Sequence, residues 1–373
     1  MFNISDMISR LAERQACGIL IKKPSNIFYI TGFSGEGYAY FTRKGEIILY
    51  ADGRYSERAS KECFARVKIV GIKEIYKDIA VDILKRNACA GVADVKRGNA
   101  PADTVMFESD YITCDEYASF KEEFKSKIKM IPARNALSKI RSIKDEIELN
   151  YILEAVSIAE KSMLYALANL KEKVCTEKDL ALTYKKNLME RFSKESFETI
   201  ALSGRNSSLP HGMPSDKKID EKNVLLCDFG AELNGYKSDE TFTVHLGNPD
   251  GRFLDVYDTV YSAQQKAISK IKPGVKFSCL DKIARDYIEK RGYGKYFTHS
   301  LGHGVGLDIH EYPYISKKNG DTVKEGMVFT VEPGVYIEGE FGVRIEDMCY
   351  VEKDGARVIT NIKKNKCGIE GLI

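Results

Sequence analysis

The sequence predicts two domains in tandem, an α/β domain followed by an α+β domain whose order of elements occurs twice. A chain of 373 residues is too long for one ordinary core and suits two. Between Gly18 and about Lys127, short β-rich runs alternate with helical ones, the pattern of an α/β layer structure. Beyond Ala136, a helix, a break, a capped helix and a pair of carboxylate-bearing strands follow one another twice, roughly 100 residues apart.

In the first part, strands are expected at residues 18–21, 38–41, 47–50 and 67–70, with helices near 54–65 and 75–86. The Lys-rich run 121–129 reads as a solvated helix face and linker, and residues 132–136 as the boundary, giving domains of residues 1–134 and 135–373. In the second part, Ser142-Ile-Lys-Asp145 has the form of a capping box, and Leu149, Ile152, Val156, Ala159, Met163 and Leu167 then recur at helical spacing. Thr176-Glu-Lys-Asp179 opens a second helix. An apolar strand at 224–227 runs into Asp228, Asn234-Gly235 supplies a type I′ hairpin turn, and the return strand holds Asp239 and Thr241. The later copy has a helix at 253–271, a Pro273-Gly274 break and Ser278-Cys-Leu-Asp281 capping a helix that ends at Gly292. A strand at 327–331 then runs into Glu332, and its return passes Val343 to reach Glu346. Two similar halves facing each other place a site between them.

Composition narrows the function. With 57 basic and 54 acidic residues the formal charge is only +3, which gives no electrostatic reason to expect nucleic acid. The cysteines are odd in number and widely spaced, with no C-x-x-C pair, so reduced thiols are expected. Charged residues run through the N-terminal segment, and no apolar stretch approaches the roughly 18 residues a spanning helix needs. The expectation is a cytoplasmic chain with no membrane partner.

Chemistry concentrates in the second part. An ionised carboxylate inside a sheet is costly unless a cation or hydrogen bonds compensate it, and Asp228, Asp239, Glu332 and Glu346 occupy matched strand positions in the two copies. All five histidines, His211, His245, His299, His303 and His310, lie in the same region. His245, in a strand tail, reads as structural. The run Gly302-His-Gly-Val-Gly306 would let backbone and substrate approach an imidazole closely, and it lacks the glycine order and lysine of a phosphate loop. One imidazole and four carboxylates form a hard, oxygen-rich set suited to Mn²⁺, and also to Co²⁺, Zn²⁺ or Fe²⁺. Five ligands suit two ions about 3.5–4 Å apart better than one. Cys227, beside Asp228, faces the other side of its strand and belongs to the core.

These residues closely resemble the metallopeptidase family that contains aminopeptidase P, prolidase, methionine aminopeptidase and creatinase, whose catalytic domain is the pita-bread fold. The motifs are Asp228-Phe-Gly230 with Asp239, the Gly302–Gly306 run, Glu332-Pro-Gly334 and Arg344-Ile-Glu346-Asp347. The resemblance implies a creatinase-like N-terminal domain followed by a pita-bread domain with pseudo-twofold symmetry. It implies that Asp228 chelates one ion, Asp239 and Glu346 bridge, and His303 and Glu332 complete the second. A bridging hydroxide would attack the scissile carbonyl, with Glu332 as proton acceptor. His211 and His310 resemble the histidines that contact substrate and stabilise the tetrahedral intermediate; His299 and Arg344 are expected on the substrate side.

Asn26-Ile-Phe-Tyr-Ile-Thr-Gly-Phe33 and Tyr50-Ala-Asp-Gly-Arg-Tyr55 resemble the N-terminal domain of the proline-specific members, which methionine aminopeptidases lack. Retention of the five ligands argues against creatinase and against a non-catalytic binding module. Ser203-Gly-Arg-Asn-Ser-Ser-Leu-Pro-His211 resembles the bacterial Xaa-Pro peptidases. The expected activity is therefore removal of the N-terminal residue from peptides with proline second, with an Xaa-Pro dipeptidase as the alternative. A homodimer is expected, as in relatives. One departure stands out: Ser238-Asp-Glu-Thr-Phe-Thr243 places Phe242 where many relatives have arginine, which puts a local salt bridge or substrate contact in question.

Overall fold

Uninterrupted apolar runs become the central strands of the first unit. The computed structural model describes residues 4–94, 103–170, 175–220 and 222–372, and the chain divides into units Met1–Arg141 and Ser142–Ile373. The first unit contains α1 (Ile4–Glu13), β1 (Gly18–Ile21), α2 (Pro24–Thr31), β2 (Tyr38–Thr42), β3 (Ile47–Asp52), α3 (Ser56–Glu62), β4 (Val67–Ile72), α4 (Ile75–Asp94), β5 (Thr104–Phe107), α5 (Cys114–Phe124), β6 (Lys129–Pro132) and α6 (Ser138–Arg141). The six strands form one mixed sheet in the order β4-β3-β2-β1-β5-β6. Antiparallel pairing joins β1, β2 and β3, and parallel pairing joins the outer strands. Both faces of β1 and β2 are covered, which is why these strands read as continuous rather than alternating hydrophobics.

The second unit opens with α7 (Glu146–Leu170) and α8 (Glu177–Glu190), followed by β7 (Lys194–Glu195), β8 (Ile200–Ser203), β9 (Val224–Phe229), β10 (Ala231–Leu233), β11 (Tyr236–Lys237) and β12 (Glu240–His245). Its later half contains α9 (Gly251–Ile268), α10 (Phe277–Lys290), β13 (Gly302–Gly304), β14 (Glu311–Ile315), β15 (Val328–Val331), β16 (Gly334–Ile337), β17 (Phe341–Arg344), β18 (Asp347–Val351) and β19 (Ala356–Val358). One half carries the sheet β12-β9-β8, the other β14-β13-β15-β18-β19. Each packs a helix pair over an apolar core, Met163, Leu180, Tyr184 and Phe229 in the first and Val260, Phe277, Leu280 and Phe329 in the second.

Two capping expectations are corrected. The box at the start of α7 is Asp145 and Glu148, not Ser142 and Asp145: Asp145 Oδ1 accepts from the Ile147 and Glu148 N–H groups at 3.0 Å, and Glu148 Oε2 accepts from the Asp145 N–H at 3.0 Å. Ser278 lies inside α10 and caps nothing; the carbonyls of Asp321 and Asn319 take the Phe277 and Ser278 N–H groups instead. The Thr176–Asp179 box forms as the sequence indicates, and Asn234 and Gly235 both take positive φ, as a type I′ turn requires. The eight cysteines whose side chains are described are unpaired, and Cys89 lies outside them. No described helix is long and apolar enough to cross a membrane.

Candidate metal centre

Strand ends from both halves of the second unit supply the acids. Asp228 lies on β9 opposite Thr241 of β12, and Asp239 immediately precedes β12. Glu346 falls between β17 and β18, and its N–H donates to the Thr241 carbonyl at 3.0 Å, stitching one half to the other. His303 is central in β13, and Glu332 follows β15, its N–H held by the Leu301 carbonyl at 2.8 Å. One ligand atom each from Asp239, His303 and Glu346 lies within 4.8 Å of the other two. His303 Nε2 is 3.5 Å from Asp239 Oδ2 and 3.2 Å from Glu332 Oε1. Asp228 joins through Arg344, whose Nη2 donates to Asp228 Oδ2 at 2.5 Å.

The electrostatics are those of a cation site. Asp228 Oδ1 and Glu346 Oε1 are buried and have no hydrogen-bond partner among the described residues. Burial, and then the neighbouring carboxylates, push Asp239 and Glu346 well above the ordinary carboxylate range. Burial also raises Asp228, with Arg344 opposing it. Burial acts on Glu332 too, but His303, with His299 and Arg344, outweighs it and brings the carboxyl down to about 2. Orphaned carboxylate oxygens beside an imidazole fit a divalent ion, whose charge would relieve the repulsion that protein groups leave in place.

Arg344 is the hub of the surrounding network. Its Nε donates to Thr241 Oγ1 at 3.1 Å, and its Nη1 donates to Tyr336 Oη at 2.8 Å and to the Pro210 carbonyl at 3.1 Å, next to His211. Each of the three guanidinium nitrogens thus has at least one protein acceptor. His299 Nε2 is 3.0 Å from Tyr336 Oη and its Nδ1 is 2.8 Å from the Ser300 carbonyl. Burial pushes the His299 pKa down. His310 stands edge-on to His303 with ring centroids 4.2 Å apart, lowered by desolvation and by His303. His211 and His310 are exposed.

Several supports left no mark in the sequence. Thr330 Oγ1 donates to Glu332 Oε1 at 3.1 Å and accepts from the His303 N–H at 3.1 Å. Thr241 Oγ1 donates to Glu346 Oε2 at 2.6 Å. The glycines of the 302–306 run make room for protein rather than substrate. A Cβ at Gly302 would lie 2.0 Å from the Thr330 carbonyl oxygen, and one at Gly306 would lie 2.5 Å from Glu311 Oε1. Glu311, beside His310, is held by buried Lys144 at 2.8 Å. Phe242 packs on Phe229 in the core, on the strand face opposite Thr241 and Thr243, so the departure from the arginine pattern lies away from the candidate ligands.

Against this geometry the comparisons are specific. Residues 150–353 match the model of "Metallopeptidase family M24", and residues 4–143 match the "Creatinase/Prolidase N-terminal domain". An Xaa-Pro dipeptidase of Pyrococcus furiosus is 34% identical over 97% of this chain and 98% of its own length. The chain belongs to metallopeptidase family M24. Its fold is a creatinase-type N-terminal domain followed by a pita-bread domain. A solved Xaa-Pro dipeptidase from Bacillus anthracis superposes with a TM-score of 0.87 at 31% identity, covering 98% of this chain and 99% of that one. An X-Pro aminopeptidase from Thermotoga maritima gives 0.82 at 30% identity, covering 96% and 99%. This M24 chain is thus a metallo-exopeptidase, and the family implies divalent metal.

Proposed function

We propose that the chain is an Xaa-Pro dipeptidase holding two divalent ions, Mn²⁺ foremost, on Asp228, Asp239, His303, Glu332 and Glu346. The observation that carries this is the convergence of Asp239, Glu346 and Glu332 on His303, while Asp228 Oδ1 and Glu346 Oε1 are buried without a partner among the described residues. The sequence alone favoured the aminopeptidase; dipeptidases among the similar relatives favour the alternative, which we adopt. Residues 135–373 would carry the chemistry, in a cytoplasmic homodimer.

Bound divalent ions would supply Lewis-acid polarisation of the scissile carbonyl and lower the pKa of water toward neutrality. The chain's own groups do the rest. Glu332, 3.2 Å from His303 Nε2, accepts a proton from the attacking water. His310 and His211 donate hydrogen bonds to the developing oxyanion and guide a proton to the proline nitrogen as the bond breaks. His299, neutral and fixed by Tyr336, lines the substrate side. Arg344 orients Asp228 and the backbone before His211.

Hydrolysis of an Xaa-Pro dipeptide compared with an Xaa-Pro-Yaa tripeptide tests the assignment. Turnover of the dipeptide and at least tenfold slower turnover of the tripeptide supports it; the reverse preference restores the aminopeptidase reading. Sedimentation velocity tests the homodimer.

A further inference from the structure

Behind the ligands lies a second set of charges. Glu240 follows Asp239, and Asp347 follows Glu346, so strand alternation turns both to the opposite face. Both are buried. Lys364, in the segment after β19, places its Nζ 2.6 Å from Glu240 Oε1 and 3.1 Å from Asp347 Oδ1, with its own side chain 7% exposed. The Asp347 carboxylate is completed by Thr360 Oγ1 at 2.7 Å and Gln264 Nε2 at 2.9 Å. Glu160 stands nearby and accepts from the Asn361 N–H at 2.5 Å, anchoring the tail that carries Lys364.

We propose that Lys364 is a positioning residue for the metal centre, holding Glu240 and Asp347 together behind the sheets so that Asp239 and Glu346 keep their spacing in front. The two strands belong to different sheets, β12 to the first half and β18 to the second. Their direct backbone link near the site is the bridge between Thr241 and Glu346. Side-chain bonds reinforce that bridge on the ligand side, Thr241 Oγ1 to Glu346 Oε2 and Thr243 Oγ1 with the Arg344 backbone, and a cation clamped between acids one residue along ties the two strands together on the opposite face as well. The role rests on the metal-centre reading.

The test is Mn²⁺ affinity, measured by calorimetry and by competition with a chelating dye on the full chain stripped of metal, for wild type, Lys364→Met, Lys364→Arg and the double variant Lys364→Met/Glu240→Gln. Removing a group that supports metal ligands typically costs about 10–100-fold in affinity. That loss is expected for Lys364→Met, with circular dichroism unchanged and with kcat recovering at saturating Mn²⁺, and a smaller loss for Lys364→Arg, which keeps the charge but not the compact ammonium of the buried lysine. Breaking a buried ion pair by removing one partner can unfold a protein. The double variant, which removes one charge of each sign, then supplies the measurement and is expected to show the same loss. Wild-type affinity in a folded Lys364→Met or double variant overturns the proposal. A wild-type chain that binds no Mn²⁺ overturns the metal-centre reading itself, and the two failures are distinct.

Discussion

Replacing Gly302 with alanine tests whether β13 is held at the distance the site needs. The new Cβ would sit 2.0 Å from the Thr330 carbonyl oxygen and 2.7 Å from its carbon, both backbone atoms of β15. Real Cβ contacts begin near 3.0 Å, so β13 and β15 must separate by about 1 Å. His303 leaves with β13, and Glu332 follows β15, so their contact of 3.2 Å lengthens out of hydrogen-bonding range. A misplacement of about 1 Å costs on the order of 10²-fold in rate, and overpacking of this kind costs about 1–3 kcal/mol of stability. In a unit of this size each kcal/mol lowers Tm by roughly 2–4 °C. The assay is kcat/KM on an Xaa-Pro dipeptide together with thermal unfolding. Gly320→Ala is the control, because its Cβ would meet nothing within 4 Å. A Gly302→Ala enzyme with unaltered kcat/KM refutes the reasoning, whatever its Tm.

Asp239→Asn is expected to abolish hydrolysis while stabilising the metal-stripped protein at neutral pH. Asp239 has a folded pKa held well above its ordinary 3.8, by burial and then by Glu346, Asp228 and Glu332. The folded state therefore binds more protons than the unfolded one above that value, and stability of the stripped wild type falls as pH rises from about 4; the asparagine variant should show a flatter Tm-against-pH curve. In the first unit, Glu116 accepts from Lys22 Nζ at 2.5 Å, Tyr38 Oη at 2.6 Å and the Thr113 N–H at 2.8 Å. Burial opposes these bonds, but they win and hold its pKa below the ordinary 4.5. The stability it contributes is thus present above about pH 4.5 and lost as pH falls through the depressed value. Glu116→Gln should cost about 1–2 kcal/mol at pH 7 and progressively less in acid, by denaturant titration; a pH-independent difference contradicts the assignment.

The sequence reveals those parts of the molecule that local rules govern. The apolar runs that became β1 to β4, the Thr176–Asp179 box and the Asn234-Gly235 turn each depend on residues within a few positions of one another. The candidate ligand acids stand out in the sequence because a carboxylate at the end of an apolar strand conflicts with its surroundings, and four such conflicts in matched places need a common resolution. Contacts made across the fold were not legible. Ser278 has the chemistry of a cap, yet the carbonyls of Asp321 and Asn319 reached the end of α10 first. Nothing near Arg344 in the chain announces that Asp228, Tyr336 and Pro210 accept from its guanidinium. Lys364 lies in a tail with no periodicity, and nothing near it in the chain announces Glu240.

The central claim is that Asp228, Asp239, His303, Glu332 and Glu346 bind metal that hydrolysis requires. Stripping the purified chain with chelator, counting Mn²⁺ ions rebound per chain, and following Xaa-Pro dipeptide hydrolysis through the same titration tests it most directly. The account predicts two ions per chain and activity that is lost on stripping and returns with them. Full-speed hydrolysis by the stripped chain would contradict it.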